Sequence, residues 1–295
     1  MTEYKDGIII INKPKNLTSH DIVYKIKKIT GKKVGHTGTL DPLATGVLPI
    51  LIGKGTLCSK YLINHDKEYE VTLKLGETTN TLDKEGEITE KKEVKKEIYK
   101  EKYIENKLKE FVGIQEQTPP IYSAIKVKGK KLYEYARKGE KIEIKPRKIN
   151  IYEINLIKIN EKENEIKFKV KCGKGTYIRS LCKDIAIKLD TVGYMKELKR
   201  TKVGIFDIKD SIELNEDTNK IINKNIITIE EIFKENDKIE IEEKRLKHFL
   251  NGVKITVKKQ DGIYRIYYNK NFLGTGVIKE NLLKRDIIIK NTPYN

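Results

Sequence analysis

The chain has 295 residues, enough for two domains or one large domain with an appendage, and 38% hydrophobic residues are enough for a core. No apolar run approaches the ~18 residues of a membrane span, residues 1–6 lack the basic and apolar regions of a signal peptide, and three scattered cysteines (Cys58, Cys172, Cys182) without CxxC spacing argue against a disulfide scaffold and a zinc site and for the reducing cytoplasm. Sixty-one Lys and Arg against 43 Asp and Glu leave a net charge of +18, which points to a polyanionic partner, nucleic acid above all.

Residues 7–12 read as a buried strand, closed by Lys13-Pro14. Thr18-Ser19-His20-Asp21 has the hydroxyl cap and the later acid of a helix start; Ile22, Val23, Ile26 and Ile29 share one face, and Gly31 ends the helix. A loop follows, then an apolar strand over 47–52, closed by Gly53-Lys54-Gly55-Thr56, and a short helix over 56–63. Residues 67–75 alternate, with Tyr69, Val71, Leu73 and Leu75 on one face and Glu68, Glu70, Thr72 and Lys74 on the other. Residues 90–112 read as a charged amphipathic helix with Ile104, Leu108 and Phe111 inward. Thr118-Pro119-Pro120 interrupts the pattern, and a turn at 128–131 leads to a short helix over 132–137 with Gly139 as its cap.

Residues 142–158 and 165–172 read as strands. Gly173-Lys174-Gly175-Thr176 opens a helix with Ile178, Leu181, Cys182, Ile185 and Leu189 on its apolar side, and 201–208 is a further strand. The polar interval 211–237 carries a domain boundary near its end, giving a main domain over 1–236 and a small, mainly β module over 237–295. That tail has Asn251-Gly252, Asp261-Gly262 and Gly274 as turn signals and 13 basic residues against 7 acidic ones. Strands and helices interleave without a regular βαβ beat, which predicts an α+β fold with a mixed, largely antiparallel sheet flanked by helices.

The loop over 35–48 holds one acid, Asp41, and no Lys or Arg. A carboxylate among Leu40, Pro42 and Leu43 is partly dehydrated if the loop packs, and needs a cation from elsewhere. Such an Asp can act as nucleophile or base, although Asp before Pro is also an ordinary turn. Arg179 is the best cation for it, because it stands in the first helical turn, where the dipole disfavours positive charge. Tyr69 begins its strand on the apolar face; it packs in the core or stacks on a base with its hydroxyl free for proton transfer. Tyr177 reads equally as core or stacking surface. His36 is one of 4 histidines and has no second His at metal spacing, so no metal site is expected. Residues 126–141 interleave Lys with Tyr133, Tyr135 and Arg137, which suits an RNA backbone and stacked bases, or a solvated charged hairpin.

Together these segments resemble the TruB family of tRNA pseudouridine synthases. The loop Gly35-His36-Thr37-Gly38-Thr39-Leu40-Asp41-Pro42-Leu43-Ala44-Thr45-Gly46-Val47-Leu48 is similar to the family's catalytic motif almost throughout, and Asn12 to Ser19 is similar to its first motif. Lys67-Glu68-Tyr69, with Gly76, Thr79, Thr81, Asp83 and Gly86 beyond, matches the next. Pro120 to Lys126 and Leu132 to Arg137 resemble an RNA-gripping insertion over about 118–150, and Gly175 to Leu181 and Leu198-Lys199-Arg200-Thr201 complete the set. The resemblance implies a pseudouridine synthase fold with a PUA-like C-terminal module, and an isomerase acting in the cytoplasm, as a monomer, on uridine 55 of the tRNA T-loop. It implies Asp41 as nucleophile, Arg179 as its partner, and Tyr69 stacked on the flipped uracil with its hydroxyl toward the C5 proton. Tyr177 and Leu198 line the uracil pocket, His36 holds the T-loop open, and Lys13 supports the loops. Two positions depart: Asn16 replaces a Gly, implying a slightly different turn, and Leu57 replaces a Lys, removing an expected phosphate ligand for which Lys54 or Lys60 could substitute.

The isomerisation breaks a C–N bond and makes a C–C bond without redox change, so no cofactor is expected. The carboxylate can attack the ribose C1′ or the uracil C6, or assist elimination. The competing reading is a catalytically inactive tRNA-binding or folding protein; a nuclease would want clustered carboxylates for metal.

Overall fold

The computed structural model describes residues 3–140, 142–215 and 217–289. Met1 and Thr2, Lys141 at the end of the basic segment and 290–295 of the tail lie outside them. Among the described residues, ten strands form one mixed sheet. Eight make its path: β1 (Gly7–Lys13), β2 (Thr45–Ile52), β3 (Lys67–Leu75), β4 (Gly113–Gln117), β5 (Arg147–Asn160), β6 (Glu165–Cys172), β7 (Gly193–Val203) and β8 (Ile212–Glu213). Their spatial order is β8-β1-β2-β7-β3-β6-β5-β4. Only β8–β1 and β2–β7 run parallel; the other neighbours are antiparallel, as expected.

The isoleucine run of β1 is apolar at every position because the sheet is covered on both sides. Ile9 and Ile11 pack against helix α1 (Ser19–Thr30), while Ile8 and Ile10 face a second sheet from the tail. Thr18 caps α1 reciprocally with Asp21, and Gly31 ends it at φ 67°. Farther along, Tyr69, Val71, Leu73 and Leu75 pack with Ile104 and Leu108 of α2 (Glu101–Lys109), and a short helix α3 (Leu132–Arg137) follows in the insertion. The same core includes Leu181, Cys182 and Ile185 of α4 (Ile178–Lys188).

Several expectations need correcting. Residues 90–112 are not one helix: the stretch Ile88–Lys91 pairs with Glu77–Thr79 as a hairpin, a 3₁₀ turn follows at Lys96–Tyr99, and only Glu101–Lys109 is helical. The helix expected over 56–63 is 3₁₀ over Gly53–Cys58 and α only over Ser59–Leu62. Strand β7 begins at Gly193, well before Thr201, and breaks register at Met195/Glu197 and at Arg200/Lys202; these bulges destroy the alternation that would have marked it. Strand β5 starts only at Arg147, after Pro146.

The tail forms a five-stranded sheet from β9 (Lys238–Glu240), β10 (Ile255–Thr256), β11 (Gly262–Tyr268), β12 (Asn271–Lys279) and β13 (Leu282–Ile288), in the order β9-β11-β12-β13-β10. Its two tight hairpins turn at Asn269-Lys270 and Glu280-Asn281, all four in left-handed conformation. Gly274 is not a turn but sits inside β12, where a Cβ would lie 1.8 Å from the Ile287 carbonyl oxygen. A helix without a clear sequence signal, α5 (Glu243–Leu250), buries Leu246 and Phe249 in the tail's own core. The tail is fastened to the short helix Ser59–Leu62 of the main domain by Asp286, which accepts from Lys60 and from Tyr61 Oη (2.5 Å) and is steadied within the tail by Thr275 Oγ1 (3.0 Å).

Candidate active site

Strand register brings the sequence-distant residues together. β2 meets β7 at Thr45–Lys199 and Gly46–Arg200, so the Asp41 loop enters the sheet beside Leu198 and Arg200. β7 then sets Arg200 opposite Tyr69 on β3, and β3 sets Tyr69 opposite Val170 on β6. β6 ends at Cys172, and Gly173 to Tyr177 lead into α4 with Arg179 in its first turn. Around this junction lies a cavity of about 810 Å³ lined by Asp41, Tyr69, Tyr177, Arg179, Leu198 and Arg200, with Lys67, Arg147, Lys148 and Lys174 also on its walls.

Asp41 lies in a turn closed by Ala44 N–H donating to its carbonyl (3.0 Å). Ser19, at the start of α1, anchors the loop through both main-chain groups of Leu40. The carboxylate keeps 35% of its surface and opens on the cavity. Burial raises its pKa above the ordinary range; Arg179 pulls it back, and the Asp83 charge pushes it further up. Arg179 grips it with two donors, Nε to Oδ2 (3.1 Å) and Nη2 to Oδ1 (3.4 Å). The rest of the guanidinium is also occupied: Nη1 meets Asp83 Oδ2 (3.3 Å) and the Thr81 carbonyl (3.2 Å), and Nη2 meets the Tyr122 carbonyl (2.9 Å). A cation thus sits at a helix start because two carboxylates are there for it.

The placement of Tyr69 combines core and site: its ring is almost wholly buried yet forms part of the cavity wall. Burial pushes its phenol up to about 12, against the pull of the Arg200 charge. Arg200 is fully buried, donating from Nε to the Val47 carbonyl (2.8 Å) and from Nη2 to the Gly38 carbonyl (3.0 Å). Sequence reasoning gives Arg200 no task beyond membership of the Leu198-Lys199-Arg200-Thr201 motif, because Lys196, Lys199 and Lys202 on the same strand make it look like one more surface cation. Asp83 likewise stands in the sequence only as part of a motif, and its carboxylate proves to be 6% exposed and bound to Arg179.

Lys13 is fully buried behind the loop, its ammonium donating to the carbonyls of Pro14 (2.8 Å), Leu17 (2.6 Å) and Pro42 (3.2 Å). Burial lowers its pKa to about 8, and the Asp41 carboxylate draws it back up. Asn16 takes the left-handed conformation (φ 67°) that is open to glycine and tolerated by asparagine. His36 is not among the cavity-lining residues; it stands on the short strand Val34–His36, opposite Ile50, with Nδ1 buried and unpartnered. Lys54 and Lys60, the two lysines near enough in sequence to stand in for a Lys at position 57, instead bind the tail at the Ile289 carbonyl and at Asp286. Among the described residues, no group of three or more His, Cys, Asp or Glu could hold a metal ion, and no helix is long and apolar enough to cross a membrane.

Residues 26–178 match the family model described as TruB family pseudouridylate synthase, N-terminal domain, and 179–254 match that of the tRNA pseudouridylate synthase B C-terminal domain. A chain of a solved Cbf5–Nop10–Gar1 complex aligns over 97% of this chain and 85% of its own, with TM-score 0.67 and 25% identity. Fold and sequence together define a pseudouridine synthase. The chain is 45% identical over 278 residues to the tRNA pseudouridine synthase B of Clostridium tetani, covering 92% of this chain and 95% of that one. It is 38% identical over 282 residues to the protein of that name from Aquifex aeolicus, covering 94% and 97%. It belongs to the TruB family.

Proposed function

We propose that this enzyme converts uridine 55 in the T-loop of tRNA to pseudouridine, with Asp41 as the nucleophile on a flipped-out uridine. The observation that carries the reading is the Asp41 carboxylate itself: desolvated by its loop, held by two donors of Arg179, and open to a cavity walled by Tyr69, Tyr177 and Leu198. Extruding the base costs a few kcal/mol. Lys67, Arg147, Lys148 and Lys174 on the cavity walls supply phosphate contacts that offset this cost, and Tyr69 supplies a face for the uracil. Arg179 keeps Asp41 ionised for attack. The bond between N1 and the ribose breaks, the uracil turns, C5 bonds to C1′ and the Asp41 carboxylate is released; the C5 proton then passes to the Tyr69 oxygen as that oxygen gives up its own proton, and N1 gains one, so the reaction is balanced without a cofactor. Arg200 beside that oxygen favours its deprotonated form, against the burial that disfavours it.

In this reading residues 1–236 form the catalytic unit, the insertion at about 118–150 grips the T-arm, and 237–295 reach toward the acceptor arm. His36, two residues before the cavity-lining Gly38, helps hold the T-loop open; Lys13 holds the Asp41 loop from behind. The enzyme works as a monomer in the cytoplasm. The test is carbodiimide mapping of an unmodified tRNA transcript after incubation with protein in EDTA. A single new stop in the T-loop is expected with wild type and none with Asp41→Asn, whose tRNA affinity stays within a few-fold. An unmodified T-loop after incubation with wild type would leave a tRNA-binding protein without catalysis.

A further inference from the structure

One buried side chain outside the proposed catalytic set reaches the segment that carries two of its members. Gln117 closes β4 and is 4% exposed. Its amide lies against both main-chain groups of Tyr177: the Tyr177 N–H donates to Oε1 (2.8 Å), and Nε2 donates to the Tyr177 carbonyl (3.1 Å). Two more links join the same stretches. Ser180 Oγ donates to the Thr118 carbonyl (2.9 Å), and Arg179 Nη2 donates to the Tyr122 carbonyl (2.9 Å). Tyr177 is the N-cap of α4 and its own side chain caps nothing. The direction of that helix's first turn, Arg179 included, therefore depends on an outside clamp.

We propose that Gln117 is a positioning residue for the isomerisation, holding Tyr177 and Arg179 in the geometry that pairs Arg179 with Asp41 and tying that geometry to the entrance of the insertion. The inference rests on the reaction proposed above. The Tyr177 carbonyl also accepts from the Leu181 N–H (3.0 Å), so the Gln117 amide supplies the acceptor for the Tyr177 N–H and a second donor to the carbonyl, and only a group that both accepts and donates makes these two bonds. A glutamate accepts from the Tyr177 N–H but turns a second lone pair toward the Tyr177 carbonyl; alanine satisfies neither. A protonated glutamic acid restores both bonds.

The experiment follows tritium release from C5-labelled uridine in a tRNA transcript, under single turnover with the full chain. Wild type is run first, since inactivity there removes the reaction itself and leaves the clamp out of the question. Gln117→Ala is expected to slow the step by about 10- to 100-fold while tRNA affinity holds within about two-fold, because Gln117 itself does not line the cavity and offers no group to the RNA. Combined with Arg179→Lys it should be no slower than Arg179→Lys alone, since both act through one contact. Gln117→Glu should be slow relative to wild type at about pH 8 and close the gap toward about pH 6, as the buried carboxyl takes up its proton. A wild-type rate in Gln117→Ala, a loss confined to affinity, or multiplicative effects in the double variant would each overturn the proposal. If Gln117→Ala does not fold, the pH series decides, and a rate ratio for Gln117→Glu that does not change with pH overturns it.

Discussion

Replacing Lys13 with methionine separates the two things its ammonium does. The displacement of its pKa from 10.5 to about 8 corresponds to about 3 kcal/mol of charging cost in the folded state. Below about pH 8 both folded and unfolded chains carry the proton, and that cost is present in full. Between about 8 and 10.5 the folded chain has released the proton and the unfolded chain still binds it, so stability rises with pH and the cost disappears. Methionine has no such cost, but it leaves the carbonyls of Pro14, Leu17 and Pro42 without their donor. Each buried carbonyl left unpaired costs about 1–3 kcal/mol. Lys13→Met should therefore be less stable by a few kcal/mol at neutral pH, and the gap to wild type should widen by about 3 kcal/mol by pH 10. Urea unfolding of both proteins from pH 7 to pH 10 measures it; groups that titrate in both cancel. A gap that stays constant or narrows as pH rises would refute the assignment. Freeing the Pro42 carbonyl also loosens the Asp41 loop, and a drop of about 10- to 100-fold in the single-turnover rate should accompany the change.

Three further outcomes follow from the same geometry. Asp41 must be ionised to attack and burial raises its pKa, so the acid limb of the single-turnover pH–rate profile should lie above the ordinary aspartate value of 3.8; a limb at or below it would contradict the desolvated site. Asp83→Asn removes a charge that pushes Asp41 upward, so that limb should move to lower pH, while the loss of one of the two carboxylates held by Arg179 lowers the rate at neutral pH; an unmoved limb counts against the triad. Gly46→Ala places a Cβ 2.1 Å from the Arg200 carbonyl oxygen at φ 104°. A loss of roughly 2–4 kcal/mol in urea unfolding is expected, and a loss below about 0.5 kcal/mol would mean the loop and β7 are less tightly packed than described.

Local signals suffice where one element settles the matter by itself. The Thr18–Asp21 capping box, Gly31 and the alternation of 67–75 are decided by contacts within a few residues, and the structure keeps them. The dehydration of Asp41 is legible in the same way, since Leu40 and Leu43 flank it and both are buried. Its pairing with Arg179 follows from a cation placed against a helix dipole. What the sequence does not disclose depends on strand register. Arg200 rather than Lys199 meets Tyr69 because β7 bulges between Met195 and Glu197, and Asp83 reaches Arg179 from a loop about a hundred residues away in the chain. His36 shares the motif of Asp41 but leaves the cavity because its strand pairs along β2 instead.

The seam between the two sheets bears on where this chain can be cut. Ile8, Ile10, Val47 and Leu51 of the main sheet share one apolar cluster with Tyr267, Phe272 and Ile287 of the tail. Each large apolar side chain contributes about 1.5–3 kcal/mol on burial, and a whole domain is stable by only about 5–15 kcal/mol. A chain ending at residue 236 would open one face of β1 and β2 to water and lose the groups that hold Lys54, Lys60 and Tyr61. The boundary visible in the composition is thus a division of the polypeptide rather than of the folding unit. A minimal enzyme would have to keep the tail, or recolour the outward face of β1 and β2 with polar side chains before discarding it.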